Sequence, residues 1–258
     1  LSNIVELEEE LVTYKGDDRV IPFSEMKEEL GKQPKGFIVH SYFNQLEGLV
    51  EGFCEGELIL VSGTPKSGKS LFLQTLTSHF AEQGEKVVWF SYEVPPRQFL
   101  DSFPDLPKGY MPRQIQQANI WWLEKKVWEA KLKYDTNIVM IDHIHYLVDM
   151  SKLRNASLEI GAIYRKLKLM AIKHKLIIFL ISHLKKVEHG QEPQGEDIRD
   201  TNFALGEPDT ILILWRLLDN PGEGIENEAR LKVDRTRRTG VLQKKISLKK
   251  KGGYLEEL

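Results

Sequence analysis

A chain of 258 residues, 41% hydrophobic and with a formal net charge of −2, has material for one substantial α/β core and little for a second. That charge balance excludes a polypeptide held on nucleic acid by bulk positive charge, although local patches stay open. No apolar run approaches the roughly 20 residues of a membrane span, no signal-peptide pattern is present, and a lone cysteine, Cys54, excludes an internal disulfide framework and fits a reducing compartment.

Charge is unevenly spread. Residues 1–31 are rich in acids, whereas residues 232–251 carry Lys232, Arg235, Arg237, Arg238, Lys244, Lys245 and Lys249–Lys251 against Asp234. In chain order, Ile4, Leu7 and Leu11 recur at helical spacing over residues 3–13 with Glu8, Glu9 and Glu10 opposite. This amphipathic helix is too short to form its own core, so it must dock on this domain or on a neighbouring copy. A second short helix is predicted over 23–31, and residues 1–35 are read as linker and docking helices preceding one domain over 36–258.

The run Glu57–Ser62 predicts a buried strand. It leads into Gly63-Thr64-Pro65-Lys66-Ser67-Gly68-Lys69-Ser70, which has the spacing G-x-x-x-x-G-K-[ST], and a helix follows from Leu71. Strand, glycine-bounded loop and helix in that order form a P-loop, whose backbone N–H groups and helix dipole converge on phosphate. Lys69 is placed to reach the β- and γ-phosphates and Ser70 to hold Mg²⁺, so a nucleoside triphosphate is the expected ligand.

Further strands are predicted at 86–92, 137–142, 176–182 and 210–214. Helices are predicted from about Pro95, over 121–132 and over 158–174. A polar, glycine- and proline-bearing loop covers 185–202. Alternation from Ala229 onward, with a turn near Thr239-Gly240, predicts a terminal β-hairpin. Trp121, Trp122 and Trp128 are read as packing residues. Unbroken apolar strands alternating with helices indicate an α/β fold with a mostly parallel sheet covered on both faces, in which ligands bind at the carboxyl ends of strands.

The conspicuous polar residues occupy those ends. Asp142, after Ile138–Ile141, has the place of a Walker B acid that binds Mg²⁺. Glu93 is placed to orient a water toward the γ-phosphate. His183 is either a structural histidine or, facing phosphate, a reporter of its presence. His143 and His145 are assigned no metal, because alternate strand residues face opposite ways. By the same alternation Arg235 and Arg237 share a face, either as fingers acting on a neighbour's nucleotide or as solvated or nucleic-acid-binding charges.

Taken together, GTPKSGKS, WFSYE, IVMIDHIHYL, LISHLKK, EDIRDTNFALGEPDTILILWR, VDRTRRTG and GGYLEEL resemble the RecA-type ATPase domain of hexameric replicative helicases, the DnaB-like family, over roughly residues 45–258. His183 in place of a glutamine makes the chain more similar to the phage primase–helicase and Twinkle branch. The resemblance implies ATP and Mg²⁺ as cofactors, with the loop from Gly63 to Leu71 holding the nucleotide and Arg216 packing on the purine. It implies Lys69, Glu93, His183, Arg235 and Arg237 as the catalytic set, and Ser70 and Asp142 as metal ligands. Lys185, Arg199, Asp200 and Asn202 would meet single-stranded DNA, with Thr201-Asn202 standing where the family has Ser-Gly. The implied partners are single-stranded DNA, further copies in a hexameric ring, and a primase or other replication protein, with no membrane. The implied location is a bacterial or phage-infected cytoplasm, or a mitochondrial matrix. A RecA- or KaiC-like ATP-binding module that assembles without unwinding DNA is the competing reading.

Overall fold

The computed structural model describes residues 2–148, 156–185, 192–199, 201–216 and 228–258, and it divides into two units, 1–36 and 37–258. The first unit holds α1 (Ser2–Thr13) and α2 (Phe23–Gly31), and Arg19 in the connecting segment lies 3.5 Å from both Glu25 and Glu29 of α2. Ile4, Leu7 and Leu11 of α1 are exposed, and α2 contains no buried residue, so neither helix has a core of its own.

The second unit opens with the two-residue pair β1 (Ile38–Val39) and β2 (Phe53–Cys54) around α3 (Asn44–Val50). Its body is built from β3 (Leu58–Gly63), α4 (Lys69–Glu82), β4 (Val87–Ser91), α5 (Pro96–Asp101), β5 (Gly109–Tyr110) and α6 (Ile120–Tyr134). There follow β6 (Ile138–Asp142), α7 (Ala156–His174), β7 (Ile177–Ile181), α8 (Thr201–Gly206), β8 (Thr210–Arg216), β9 (Glu228–Thr236), β10 (Leu242–Lys251) and β11 (Tyr254–Glu257). They form one sheet in the order β11-β10-β9-β8-β3-β7-β6-β4-β5, parallel from β8 to β5 and antiparallel beyond.

The period of two explains how an unbroken apolar run serves both faces. Ile59, Val61, Trp89, Met140, Phe179 and Leu212 pack on one side with α4, where Phe179 meets Phe53 edge-on at 4.9 Å. Leu60, Val88, Val139, Ile178, Leu180 and Ile213 pack on the other with α6 and α7. Trp122 belongs to this second layer, while Trp121 lies at the surface under the Lys166 ammonium, 4.1 Å from its ring.

Three features depart from the sequence reading. The proline-bearing stretch read as loop contains β5, an edge strand paired on one side only, where flanking prolines cost no ladder bond. The polar loop after β7 is structured at its described ends, including a 3₁₀ turn at Gly195–Asp197 and helix α8. The terminal hairpin gains a third strand, β11, after Gly252 and Gly253 turn the chain at positive φ. The Glu257 carboxylate then accepts the N–H groups of Gln45 and Leu46, two of the first-turn donors that α3 cannot satisfy itself. No helix among the described residues is long and apolar enough to cross a membrane.

Candidate active site

β3 delivers the chain into the phosphate loop at Gly63, which pairs with Leu214 of β8. A Cβ on Gly63 would lie 2.0 Å from the Leu214 carbonyl oxygen and 2.8 Å from Ser67 Oγ, so the close approach admits only glycine. Lys66 and Gly68 adopt positive φ, 59° and 95°, and α4 begins immediately afterwards. Lys69 is buried and donates to the carbonyls of Gly63 at 3.2 Å and Thr64 at 2.9 Å. Burial holds its ammonium below the usual lysine range, with Asp142 and Glu93 pulling the other way. Ser67 Oγ is buried with no hydrogen-bond partner among the described residues.

These residues line a cleft of about 560 Å³. Pro65 to Leu71 form one wall, and Glu93, Asp142 and His183 reach in from the ends of β4, β6 and β7, with Gln98 and Phe99 contributed by α5. Ser70 Oγ donates to Asp142 Oδ2 at 2.6 Å, joining the first turn of α4 to the end of β6. Burial, and after it the neighbouring Glu93 charge, carry the Asp142 carboxyl up to about 6 against the opposing Ser70 bond and Lys69 charge. Its second oxygen, Oδ1, is buried without a partner among the described residues. A hydroxyl, a carboxylate and an unsatisfied carboxylate oxygen fit a hard cation such as Mg²⁺, and the glycine cradle with the unpartnered Ser67 hydroxyl fits phosphate.

The histidines contain a correction. Strand alternation gave His143 and His145 no need to converge with Asp142, but β6 ends at Asp142 and a 3₁₀ turn over Ile144–Leu147 follows, so strand geometry stops applying. The His143 ring packs edge-on against His183 with centroids 4.4 Å apart. Burial is the main cause that lowers both, His143 to about 3 and His183 to about 4, so both rings are neutral at pH 7.

His183 is also the root of the following loop. Its carbonyl accepts the Arg199 N–H at 3.1 Å, Lys185 N–H bonds the Asp197 carbonyl at 2.7 Å, and Leu184 forms an antiparallel bridge with Ile198. Lys185 and Arg199 are exposed. Asp200 lies outside the described residues, and Asn202 is described in its backbone alone, within α8.

One functional contact was missed. Lys232, within the basic run, is fully buried, and its ammonium donates to the Pro193 carbonyl at 2.5 Å and Gln194 Oε1 at 3.0 Å, with Glu192 Oε1 at 3.4 Å and Asp234 Oδ1 at 3.9 Å. The sequence signal was slight: one lysine between Leu231 and Val233 in a stretch that alternates. Lys232 ties the returning limb of the loop to β9, the strand that carries Arg235.

Arg235 and Arg237 sit at the opposite end of the strands from their own phosphate loop. Thr236 pairs with Thr210 at the start of β8, whereas Gly63 is level with Leu214, about 13 Å further along at the usual rise per residue. Their predicted common face is interrupted. β9 ends at Thr236, between the two arginines, and a bulge opposite Ile211/Leu212 leaves Asp234 as the extra residue just before Arg235. Arg235 bonds Asp234 at 3.2 Å, and Arg237 donates to the Gly206 carbonyl from the turn. Arg216, the exposed last residue of β8, lies two positions beyond Leu214, on the phosphate-loop side.

A family model described as an AAA domain matches residues 32–189, more than half of the chain. The chain belongs to the AAA domain family. Among curated proteins it is similar to the replicative DNA helicase DnaB of Rhodothermus marinus, 24% identical over 216 residues, covering 68% of this chain and 22% of that protein. It is also similar to a probable plasmid replicative DNA helicase of Chlamydia psittaci, 22% identical, covering 62% of this chain and 43% of that protein. The chain thus spans less than half the length of these relatives. Among solved structures, a DnaB-like replicative helicase studied for its interactions with primase superposes with a TM-score of 0.77 at 19% identity, over 99% of this chain and 71% of that one. A second solved structure, of an isolated ATPase domain, gives 0.77 at 17% identity, over 91% of this chain and 96% of that one. The fold of this AAA-family chain is therefore the RecA-like fold of DnaB-like helicase ATPase domains.

A carboxyl raised in the fold contributes stability that is fully present below its ordinary value of 3.8 and lost as pH rises through about 6. Asp142→Asn should therefore stabilise the nucleotide-free protein by up to about 3 kcal/mol at pH 7, a gain that shrinks as pH falls below 6. The same variant should lose Mg²⁺-dependent nucleotide binding; urea titrations at two pH values and a fluorescent-nucleotide titration read the two effects. Lys232→Ala leaves the Pro193 carbonyl and Gln194 Oε1 without their buried donor, while Asp234 keeps Arg235 and Gln243, and should destabilise by about 1–3 kcal/mol in the same urea experiment.

Proposed function

We propose that this chain is the motor domain of a replicative DNA helicase, hydrolysing ATP between neighbouring copies to move along single-stranded DNA. One juxtaposition carries the reading: His183 lines the phosphate cleft and, through its carbonyl, holds Arg199 at the base of the adjoining loop. Phosphate occupancy and loop position therefore meet at one residue.

In this reading ATP lies over the N-terminus of α4, with Lys69 and the loop N–H groups on its phosphates. Ser70 and Asp142 would hold Mg²⁺, which would supply charge neutralisation for the phosphates. Glu93 orients the attacking water, and neutral His183 hydrogen-bonds the γ-phosphate while it is present. Arg216 packs on the purine. Arg235 and Arg237 serve the nucleotide of the next copy, a role supported by their distance from their own phosphate loop. The exposed apolar stripe of α1 docks on an adjacent copy and builds a hexameric ring, with primase as a further partner. Lys185 and Arg199, with Asp200 and Asn202, follow the DNA backbone. A histidine at position 183 favours the phage primase–helicase and Twinkle branch.

The test is the ATPase rate with and without single-stranded DNA. The expected result is a stimulation that declines steeply with salt and is lost in Arg199→Ala. A wild-type rate indifferent to DNA would replace the motor with a RecA- or KaiC-like ATP-binding assembly module. Separately, mixing Arg237→Ala with Lys69→Ala copies should restore part of the activity that each lacks alone; no recovery in verified mixed rings would remove Arg237 from the neighbour's site.

A further inference from the structure

Beside the nucleotide cradle lies a second constellation with a different chemistry. Glu93, His143 and His183 each offer one ligand atom, and the three atoms lie within 4.8 Å of one another. They come from three neighbouring strand ends, β4, β6 and β7, so the sheet itself fixes their spacing. Neither the Glu93 carboxylate nor either ring nitrogen of His183 has a hydrogen-bond partner among the described residues. Among the described residues the His143 ring has one hydrogen bond, a long one of 3.3 Å from the His145 N–H to Nδ1, so an ion at either nitrogen displaces little.

From this geometry we infer a binding site for a borderline-soft divalent cation of the Zn²⁺ class, held by Glu93, His143 and His183 and distinct from the Mg²⁺ position at Ser70 and Asp142. The ligand types decide the class. Two imidazoles and one carboxylate suit Zn²⁺ or Co²⁺, with a fourth position left to water, whereas Mg²⁺ prefers oxygen donors. Tetrahedral coordination at about 2.1 Å needs ligand atoms about 3.4 Å apart, so from separations of up to 4.8 Å the trio must close by up to about 1.4 Å. Glu93 is exposed and free to supply that movement, while the half-buried histidines stay in place.

The consequence for turnover rests on the proposed function. An ion in this position takes Glu93 from the attacking water and His183 from the γ-phosphate, so micromolar Zn²⁺ stops hydrolysis and a chelator restores it.

Binding is tested first without nucleotide or turnover, by titrating Co²⁺ into the whole chain and following its visible ligand-field bands. One Co²⁺ per chain with a four-coordinate spectrum, displaced by Zn²⁺ but not by millimolar Mg²⁺, is expected. His143→Ala and, independently, Glu93→Gln should each weaken binding at least tenfold. His40→Ala, which alters the remote His40–Glu47 pair, should leave it unchanged. Circular dichroism checks that each variant is folded, and either of the two ligand variants suffices if the other is not. No binding at about 100 μM metal, or equal affinity in the wild type and a folded ligand variant, overturns the site. Binding that depends on His143 in a chain that does not hydrolyse ATP upholds the metal site while removing the motor reading. Hydrolysis without metal binding does the reverse.

Discussion

The contact between Ser70 Oγ and Asp142 Oδ2, 2.6 Å long, joins two elements that the sheet order keeps apart. β3, which feeds the phosphate loop, and β6, which ends in Asp142, are separated by β7. They meet because α4 starts directly at the loop and carries Ser70 over the strand ends. The start of α4 is in turn fixed by the approach of Gly63 to Leu214, where no side chain can be accommodated. A glycine with no room for Cβ thus sets where a serine stands, and the serine meets a carboxylate 72 residues later. Asp142 is placed at a cost: buried and beside Glu93, its carboxyl is raised to about 6, which is the local instability expected of a group arranged for a cation rather than for folding.

The same parallel sheet explains why so much chemistry collects in one place. In a run of parallel strands all carboxyl ends face one way, so residues that terminate β4, β6 and β7 converge without a dedicated scaffold. Glu93, Asp142, His143 and His183 share this origin. They divide by chemistry: oxygen donors with Ser70 on one side, imidazoles with a carboxylate on the other. β9 runs antiparallel to β8, so its C-terminal end, with Arg235 and Arg237, lies away from the phosphate loop of their own chain.

A second line of connection runs through the loop after β7. Its returning limb is bonded to His183 through the Arg199 N–H and to buried Lys232 through the Pro193 carbonyl. Lys232 also lies near Asp234, which holds Arg235. A continuous set of bonded groups therefore joins the phosphate cleft, the loop and the strand with the basic pair. Lys232 and Asp234 are both buried, 3.9 Å apart, and each is matched by further polar partners, as burial of a charge requires.

Much of this was legible from the chain alone. The phosphate loop is a local pattern whose spacing encodes its geometry, and buried parallel strands declare themselves as apolar runs bounded by polar residues. Strand ends therefore named Glu93, Asp142 and His183, because position at a carboxyl end follows from local sequence plus one topological rule. What the chain could not disclose were relations that depend on two distant segments being packed. His143 escaped because strand alternation was carried past the residue where β6 stops. Lys232 escaped because a buried lysine and a solvated one have the same letter, and only the returning loop shows which it is. The bulge at Asp234 escaped for the same reason, since an extra residue is visible only against a paired strand. Sequence determined the loop, the strands and the acids at their ends; tertiary structure decided which side chains share a site, because burial and distance are properties of pairs and not of positions.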